Sequence, residues 1–182
     1  MKKDISSPHM QFFNCQSSFV EVSNGIKQIY QDTSLPWINR FDITLRPVNK
    51  DFFVQFPKVY QIIQDFKCNT YAIFRFNPHT CYGWHTDNSN DDKGRSCSLN
   101  MLIEGYGTSH TFVGNKITGR IGDDFSDVRE VTYEPNKFVL LDVNSYHTIF
   151  NLEQPRYLLT IGFPPATGKF DEIRKYLIAN NF

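Results

Sequence analysis

The sequence predicts a mainly β fold, a jelly roll of cupin-like type, with N-terminal helices packed outside it and a short C-terminal helix. Three observations carry this. From about residue 70 the chain runs as many short strand-like stretches separated by Gly, Pro and Asn turns, with no long helix between them. Helical periodicity is confined to the region before residue 67 and to the last dozen residues. Phenylalanine, at 17 of 182 residues, is plentiful, and aromatic rings suit a sheet-rich core. A chain of this length buries roughly 68–70% of its unfolded surface. It is read as one domain over 1–182, with its core over about 70–163.

Residues 1–16 show no clear period. Ser18 and Glu21 fit a capping box, and Phe19, Val22, Ile26 and Ile29 then share a helical face, interrupted by Gly25. Phe41 to Leu45 alternates as a short or edge strand, since Pro47 follows closely. Pro57 suits the first turn of a second helix, in which Val59, Ile62, Ile63 and Phe66 complete the amphipathic template. Thr70 to Phe76 is a strand, and Asn77-Pro78-His79 a turn. Tyr82 to Asp87 is a strand, Asn88 to Gly94 a polar loop, and Arg95 to Ile103 a strand. Gly105 and Gly107 mark a reversal into a short strand at Ser109 to Val113. Asn115 to Asp124 reads as a loop with a small strand at Thr118 to Ile121. Val128 to Tyr133, Lys137 to Val143 and Arg156 to Phe163 complete the strands, the middle one apolar enough to be buried on both faces. Phe170, Ile173 and Leu177 give the C-terminal helix.

Composition excludes several classes. Lys plus Arg and Asp plus Glu both number 19, with no basic tail or stripe, which disfavours wrapping of nucleic acid. No apolar window approaches the ~18 residues of a membrane span, and Met1 to Met10 has no signal-like apolar core. Cys15, Cys68, Cys81 and Cys97 form no C-x-x-C pair and no disulfide framework, so a reducing, cytoplasmic setting is expected.

The chemistry centres on Trp84-His85-Thr86-Asp87. On an extended segment His85 and Asp87 point to one face. An imidazole and a carboxylate side by side are two-thirds of a metal site, and His147, after the most apolar run, is the candidate third ligand. Two His and one carboxylate form the facial triad of non-haem Fe(II) oxygenases, which leaves coordination positions open. Arg156 opens the last strand. It is either a surface or salt-bridged arginine, with Asp142 or Glu153 as partners, or an inward fork for a carboxylate. If it points inward, Leu158, Thr160 and Gly162 do too. A dicarboxylate could then chelate metal at one end and meet Arg156 at the other.

Residues 71–163 resemble the double-stranded β-helix core of the Fe(II)/2-oxoglutarate-dependent oxygenases. The resemblance is carried by Tyr82-Gly83-Trp84-His85-Thr86-Asp87, by Arg95 to Ile103, by Leu141 to Asn151 with its distal His147, and by Pro155-Arg156-Tyr157-Leu158. The wording around His147, Asn151 and Arg156 is similar to the aspartyl/asparaginyl β-hydroxylase branch, although that branch commonly lacks the carboxylate ligand that Asp87 supplies here. The resemblance implies Fe(II) on His85, Asp87 and His147, and 2-oxoglutarate with its distal carboxylate on Arg156. It implies dioxygen as co-substrate, and oxidative decarboxylation to succinate coupled to hydroxylation of an unactivated C–H. Many members carry Ser or Thr two residues after the arginine. Leu158 stands there, so a second contact must come from elsewhere, with Tyr71, Arg75, Asn100 and Thr160 as candidates. Trp84 is expected in the core or as a shield for the metal, Asn144 and Asn151 as supports of the His147 loop, Phe112 and Phe125 at an apolar entrance, and His79 and His110 at the surface or in turns. The substrate stays open among a small molecule, an amino acid and a peptide or protein side chain. Halogenation is disfavoured, because Asp87 fills the position a halide needs. The rival readings are a cupin-type metal enzyme that uses no 2-oxoglutarate, and a catalytically inactive jelly-roll binding protein.

Overall fold

The computed structural model describes residues 12–40, 43–87, 94–118 and 123–182. Its elements in order are β1 (Phe12–Asn14), α1 (Val20–Gln31), β2 (Ile38–Arg40), β3 (Ile43–Pro47), a 3-10 helix (Lys50–Gln55), α2 (Pro57–Asp65), β4 (Thr70–Phe76), β5 (Thr80–His85), β6 (Cys97–Glu104), β7 (Ser109–Thr118), β8 (Asp123–Glu130), β9 (Val139–Asp142), β10 (Tyr146–Asn151), β11 (Arg156–Phe163) and α3 (Phe170–Ala179). They form two antiparallel sheets. The larger has seven strands in the order β1-β9-β6-β11-β4-β3-β2, and the smaller has four in the order β5-β10-β7-β8. This is the jelly roll, or double-stranded β-helix, that the turn-rich second half predicts.

The central strands β6 and β11 of the larger sheet are buried on both faces, and period-two alternation assigns them. Leu99, Met101 and Ile103 on β6, with Leu159, Ile161 and Phe163 on β11, face the helices and join one core cluster with Val22 and Ile26 of α1, Ile62 and Ile63 of α2, and Ile173 and Leu177 of α3. The intervening residues Ser98, Asn100, Arg156, Leu158 and Thr160 face the cavity between the sheets. The helices thus cover one side of the large sheet and leave its other side facing the cavity. Gly25 serves this packing: a Cβ there would stand 2.9 Å from the Phe52 ring.

Several boundaries differ from the sequence reading. Helix α1 begins at Val20, with Phe19 rather than Ser18 at the N-cap and no side-chain cap bond. The Phe19 ring is buried against Phe138 and Phe182, at centroid distances of 5.2 and 5.3 Å, and this anchoring sets where the helix starts. Residues 115–118 and 123–124, read as loop, continue β7 and open β8, while Val131 to Tyr133 lie beyond β8. The small strand expected at Thr118 to Ile121 falls largely outside the described residues, as do most of the 88–94 loop and the start of the Phe41 to Leu45 strand. Strands β1, β2 and β10 were not foreseen. Pro47 is accommodated where β3 pairs with Ala72 of β4 beyond the reach of β2, which pairs only with Ile43, Thr44 and Leu45. The reversal at Gly105 and Gly107 is present, both with positive φ.

Candidate metal centre and anion pocket

One cavity between the sheets holds polar groups at two ends. His85 closes β5, and His147 lies directly across from it on β10. The pairing shifts here: Tyr82 faces Ile149 while His85 faces His147, so three steps on β5 match two on β10. The irregularity lets Tyr82 and His85 both line the cavity although they are three apart. It also turns Trp84 outward, where it stacks on Phe125 at 4.2 Å and covers Gly114. Asp87 follows the end of the strand, tied by its N–H to the Val143 carbonyl at 2.9 Å.

Ligand atoms of His85, Asp87 and His147 all lie within 4.8 Å of one another. The Asp87 Oδ1 is 3.8 Å from Nε2 of each histidine. Both rings are oriented by backbone. His85 Nδ1 meets the Gly83 carbonyl at 2.7 Å, and His147 Nδ1 meets the Ser145 carbonyl at 3.0 Å. A carbonyl only accepts, so Nδ1 carries the proton and Nε2 presents a lone pair to the site. Burial pushes His147 below its ordinary pKa, Asp87 opposes this and His85 reinforces it, which favours the neutral, ligating form. Asn144 Nδ2 donates to the Ser96 carbonyl at 3.1 Å, and Asn151 Nδ2 donates to the Phe76 and Asn77 carbonyls at 3.1 and 2.7 Å. These bonds pin both ends of the segment carrying His147, as the sequence reading expects of the two asparagines. The donor set fits Fe(II): two imidazoles and a carboxylate brought together at the wall of one cavity.

At the other end Arg156 is 0% exposed. One Nη donates to Ser109 Oγ at 2.9 Å, while Nε and the second Nη have no partner. No acidic side chain pairs with it among the described residues, and the rings of Tyr133 and Phe76 flank it at 5.2 and 5.6 Å. Burial lowers its pKa, the neighbouring Tyr133 hydroxyl opposes this, and the guanidinium stays charged. A buried cation with unused donors is costly unless an anion completes it. The hydroxyls of Tyr133 and Thr111, which line the same cavity, also lack partners. Between the two ends lies a ladder in which Thr160 Oγ1 donates to Asn100 Oδ1 at 2.8 Å and Asn100 Nδ2 donates to Ser98 Oγ at 3.0 Å.

Of the residues singled out from the sequence, His85, Asp87, His147, Arg156, Asn100 and Thr160 meet in this cavity. Tyr71 and Arg75 do not. With Ile73 they occupy the opposite face of β4 from Phe74 and Phe76, which line the cavity. The Tyr71 hydroxyl donates to the Cys68 carbonyl and its ring packs with Phe53 in the helix-side core. Among the described residues, Trp84, Phe112 and Phe125 are not part of the cavity lining. Phe112 sits with His110 and Phe150, and Phe125 with Trp84 and Tyr146, on the outer face of the small sheet. His79 is an exposed turn residue at positive φ, and His110 pairs with Glu130 at 2.6 Å. Three contributors escaped the sequence reading: Tyr133, Thr111 and Arg95, whose Nη2 lies 2.5 Å from Asp87 Oδ2. Thr111 sits on the inward phase of β7, a signal present in the alternation; Tyr133 lies past the end of β8 and had none.

No protein-family profile and no curated protein sequence matches the chain. Solved structures do. A Pseudomonas putida prolyl-4-hydroxylase is 12% identical, covering 87% of this chain and 94% of its own, with a TM-score of 0.59. A prolyl hydroxylase from Trichoplax adhaerens, in complex with a hypoxia inducible factor peptide fragment, is 13% identical over 95% of this chain and 88% of its own, with a TM-score of 0.62. HygX from Streptomyces hygroscopicus, with nickel, 2-oxoglutarate and hygromycin B bound, is 11% identical over 86% of this chain and 84% of its own, with a TM-score of 0.60. The chain therefore has the double-stranded β-helix fold found in 2-oxoglutarate/Fe(II) oxygenases, and it presents a two-histidine, one-carboxylate triad inside it.

Proposed function

We propose that this protein is a non-haem Fe(II), 2-oxoglutarate-dependent dioxygenase. It hydroxylates an unactivated C–H of a small molecule, an amino acid or a peptide side chain. The observation that carries this reading is the two-ended cavity. Three metal-type donors stand at one end, and at the other a fully buried arginine has two guanidinium nitrogens without a partner.

His85, Asp87 and His147 would hold Fe(II), which when bound supplies dioxygen activation coupled to decarboxylation of 2-oxoglutarate into succinate and carbon dioxide. Every other role belongs to the chain. Arg156 offers its unused donors to the distal carboxylate, and the hydroxyls of Tyr133 and Thr111 add two more. The Tyr133 and Phe76 rings flank the guanidinium and would shield that ion pair from water. Asn100 and Thr160, candidates for a further contact to 2-oxoglutarate, line the same cavity and are held by their mutual hydrogen bond. Among such enzymes we place the chain near the aspartyl/asparaginyl β-hydroxylases, on the wording around His147, Asn151 and Arg156, with Asp87 retained as ligand. The catalytic unit is one domain over 1–182, and the four unbridged thiols suit a reducing cytoplasm.

The test is anaerobic addition of Fe(II) and 2-oxoglutarate to metal-free protein. A weak visible charge-transfer band, absent from Arg156→Ala and from His147→Ala, is the expected result, followed by slow succinate release in air. Tight iron binding with no band and no succinate would point instead to cupin chemistry without 2-oxoglutarate. A folded protein that binds no iron would be an inactive scaffold.

A further inference from the structure

We infer that Arg95 is the positioning residue of the metal centre. It fixes Asp87 as a ligand through one oxygen, and the missing side chain at Gly162 is what allows it to do so. This rests on the reading of His85, Asp87 and His147 as metal ligands.

Asp87 needs such a partner. Strand β5 ends at His85, so no ladder holds the carboxylate, and the backbone of Asp87 is tied by the bond to Val143. Its side chain is 19% exposed, whereas His147 is buried. A carboxylate has two equivalent oxygens and about four lone-pair directions. Unheld, it can rotate, or it can close over a metal with both oxygens and occupy a position that a reacting molecule requires. Arg95 removes this freedom. Its Nη2 takes Oδ2 at 2.5 Å, and Oδ1 is left equidistant, at 3.8 Å, from the two imidazole Nε2 atoms.

The guanidinium is itself aimed from two other strands. The Phe74 ring of β4 lies 5.6 Å from Arg95 Cζ. On β11, a Cβ at Gly162 would stand 2.5 Å from Arg95 Cδ and 2.9 Å from its Cγ, so the arginine stem fills the space a side chain there would take. Gly162 follows Arg156, Leu158 and Thr160 on the inward phase of β11. The strand that supplies the buried cation at one end of the cavity thus supplies the room for the ligand clamp at the other. A lysine lacks the planar fork and the fixed direction of its donors, so it replaces the charge without the aim.

The experiment titrates metal-free wild type, Arg95→Met, Arg95→Lys, Gly162→Ala and the double variant Arg95→Met/Gly162→Ala with Co(II). It reads affinity by chelator competition and geometry by the visible d–d spectrum, with circular dichroism melts of the metal-free proteins as the folding check. Arg95→Met is expected to weaken Co(II) binding by roughly 10–100-fold and to change the d–d bands, as loss of an outer hydrogen-bond partner does. Arg95→Lys should recover part of the affinity but not the wild-type spectrum. Gly162→Ala also crowds Thr70, whose Cβ would be 2.7 Å away, so the double variant is the decisive member. If the glycine acts through the arginine, the double variant binds Co(II) no worse than Arg95→Met alone. Additive losses overturn the link to Gly162. Wild-type affinity and spectrum in Arg95→Met and Arg95→Lys overturn the role of Arg95. A folded wild type that takes up no Co(II) overturns the metal centre itself, and this inference with it.

Discussion

At the metal end of the cavity each donor is already held. Nδ1 of His85 and His147 is bonded to backbone, and Oδ2 of Asp87 to Arg95. At the Arg156 end, by contrast, two guanidinium donors and the hydroxyls of Tyr133 and Thr111 have no partner. The difference shows what each end awaits. A metal needs lone pairs preset in direction, so the chain spends its hydrogen bonds on the far side of each ligand. A carboxylate brings its own acceptors, so the chain leaves donors unspent and surrounds them with rings. The first end is built to be complete without its guest, and the second is built to be completed by one.

That contrast breaks most visibly at His147. Replacing it with Ala removes a ligand and leaves two, one of them at a strand terminus. Metal affinity should fall by more than the roughly 10–100-fold that loss of an outer partner costs, and succinate formation should cease. A Co(II) or Ni(II) titration measures it. Retained wild-type affinity would mean that the metal sits elsewhere.

Arg156→Met tests the opposite end and should behave differently in two assays at once. Losing charge-assisted bonds worth about 3 kcal/mol should weaken 2-oxoglutarate binding about 100-fold. Stability without 2-oxoglutarate should hold or rise, because a buried cation without an anion gives way to an apolar chain of similar reach. A urea melt and a 2-oxoglutarate titration of the metal-loaded protein separate the two. Marked destabilisation would show that Arg156 is a structural cation after all. Tyr133→Phe sharpens the same end. It removes one hydroxyl beside the Arg156 guanidinium, so the fold should change little, while 2-oxoglutarate binding weakens about tenfold, or about 1.4 kcal/mol.

Much of this site was legible in the sequence, because it obeys a period of two. His85 and Asp87 share a face by spacing alone, and Arg156, Leu158, Thr160 and Gly162 turned inward together as alternation requires. The same rule has a blind spot. It groups Tyr71 with Arg75 and Asn100 with Ser98, but it does not say which group meets helices and which meets the cavity. In β6 every position from Cys97 to Ile103 is buried, so burial gives no polarity to the alternation. Only packing against α1, α2 and α3 decides it. Strand β10 was missed because its outward residues mix Tyr146, Thr148 and Phe150 with an inward His147 and Asn151, which mimics an irregular loop. Arg95 and Tyr133 owe their roles to neighbours distant in sequence, and no local pattern encodes that.

Tyr71 gives the smallest effect and the cleanest check on the faces of β4. Its ring lies among helix-side residues, and its hydroxyl donates to the Cys68 carbonyl at the turn that follows α2. Tyr71→Phe should therefore remove one ordinary hydrogen bond, lowering stability by about 1 kcal/mol. For a chain of this size that is a fall of roughly 2–4 °C in Tm. The affinity for 2-oxoglutarate should not change, since Phe74 and Phe76, not Tyr71, form the wall of the cavity on this strand. A thermal melt and a 2-oxoglutarate titration on the same preparation decide between the two faces. A loss of affinity comparable to that of Tyr133→Phe would mean that β4 presents its other face to the site, and would return Tyr71 and Arg75 to the co-substrate.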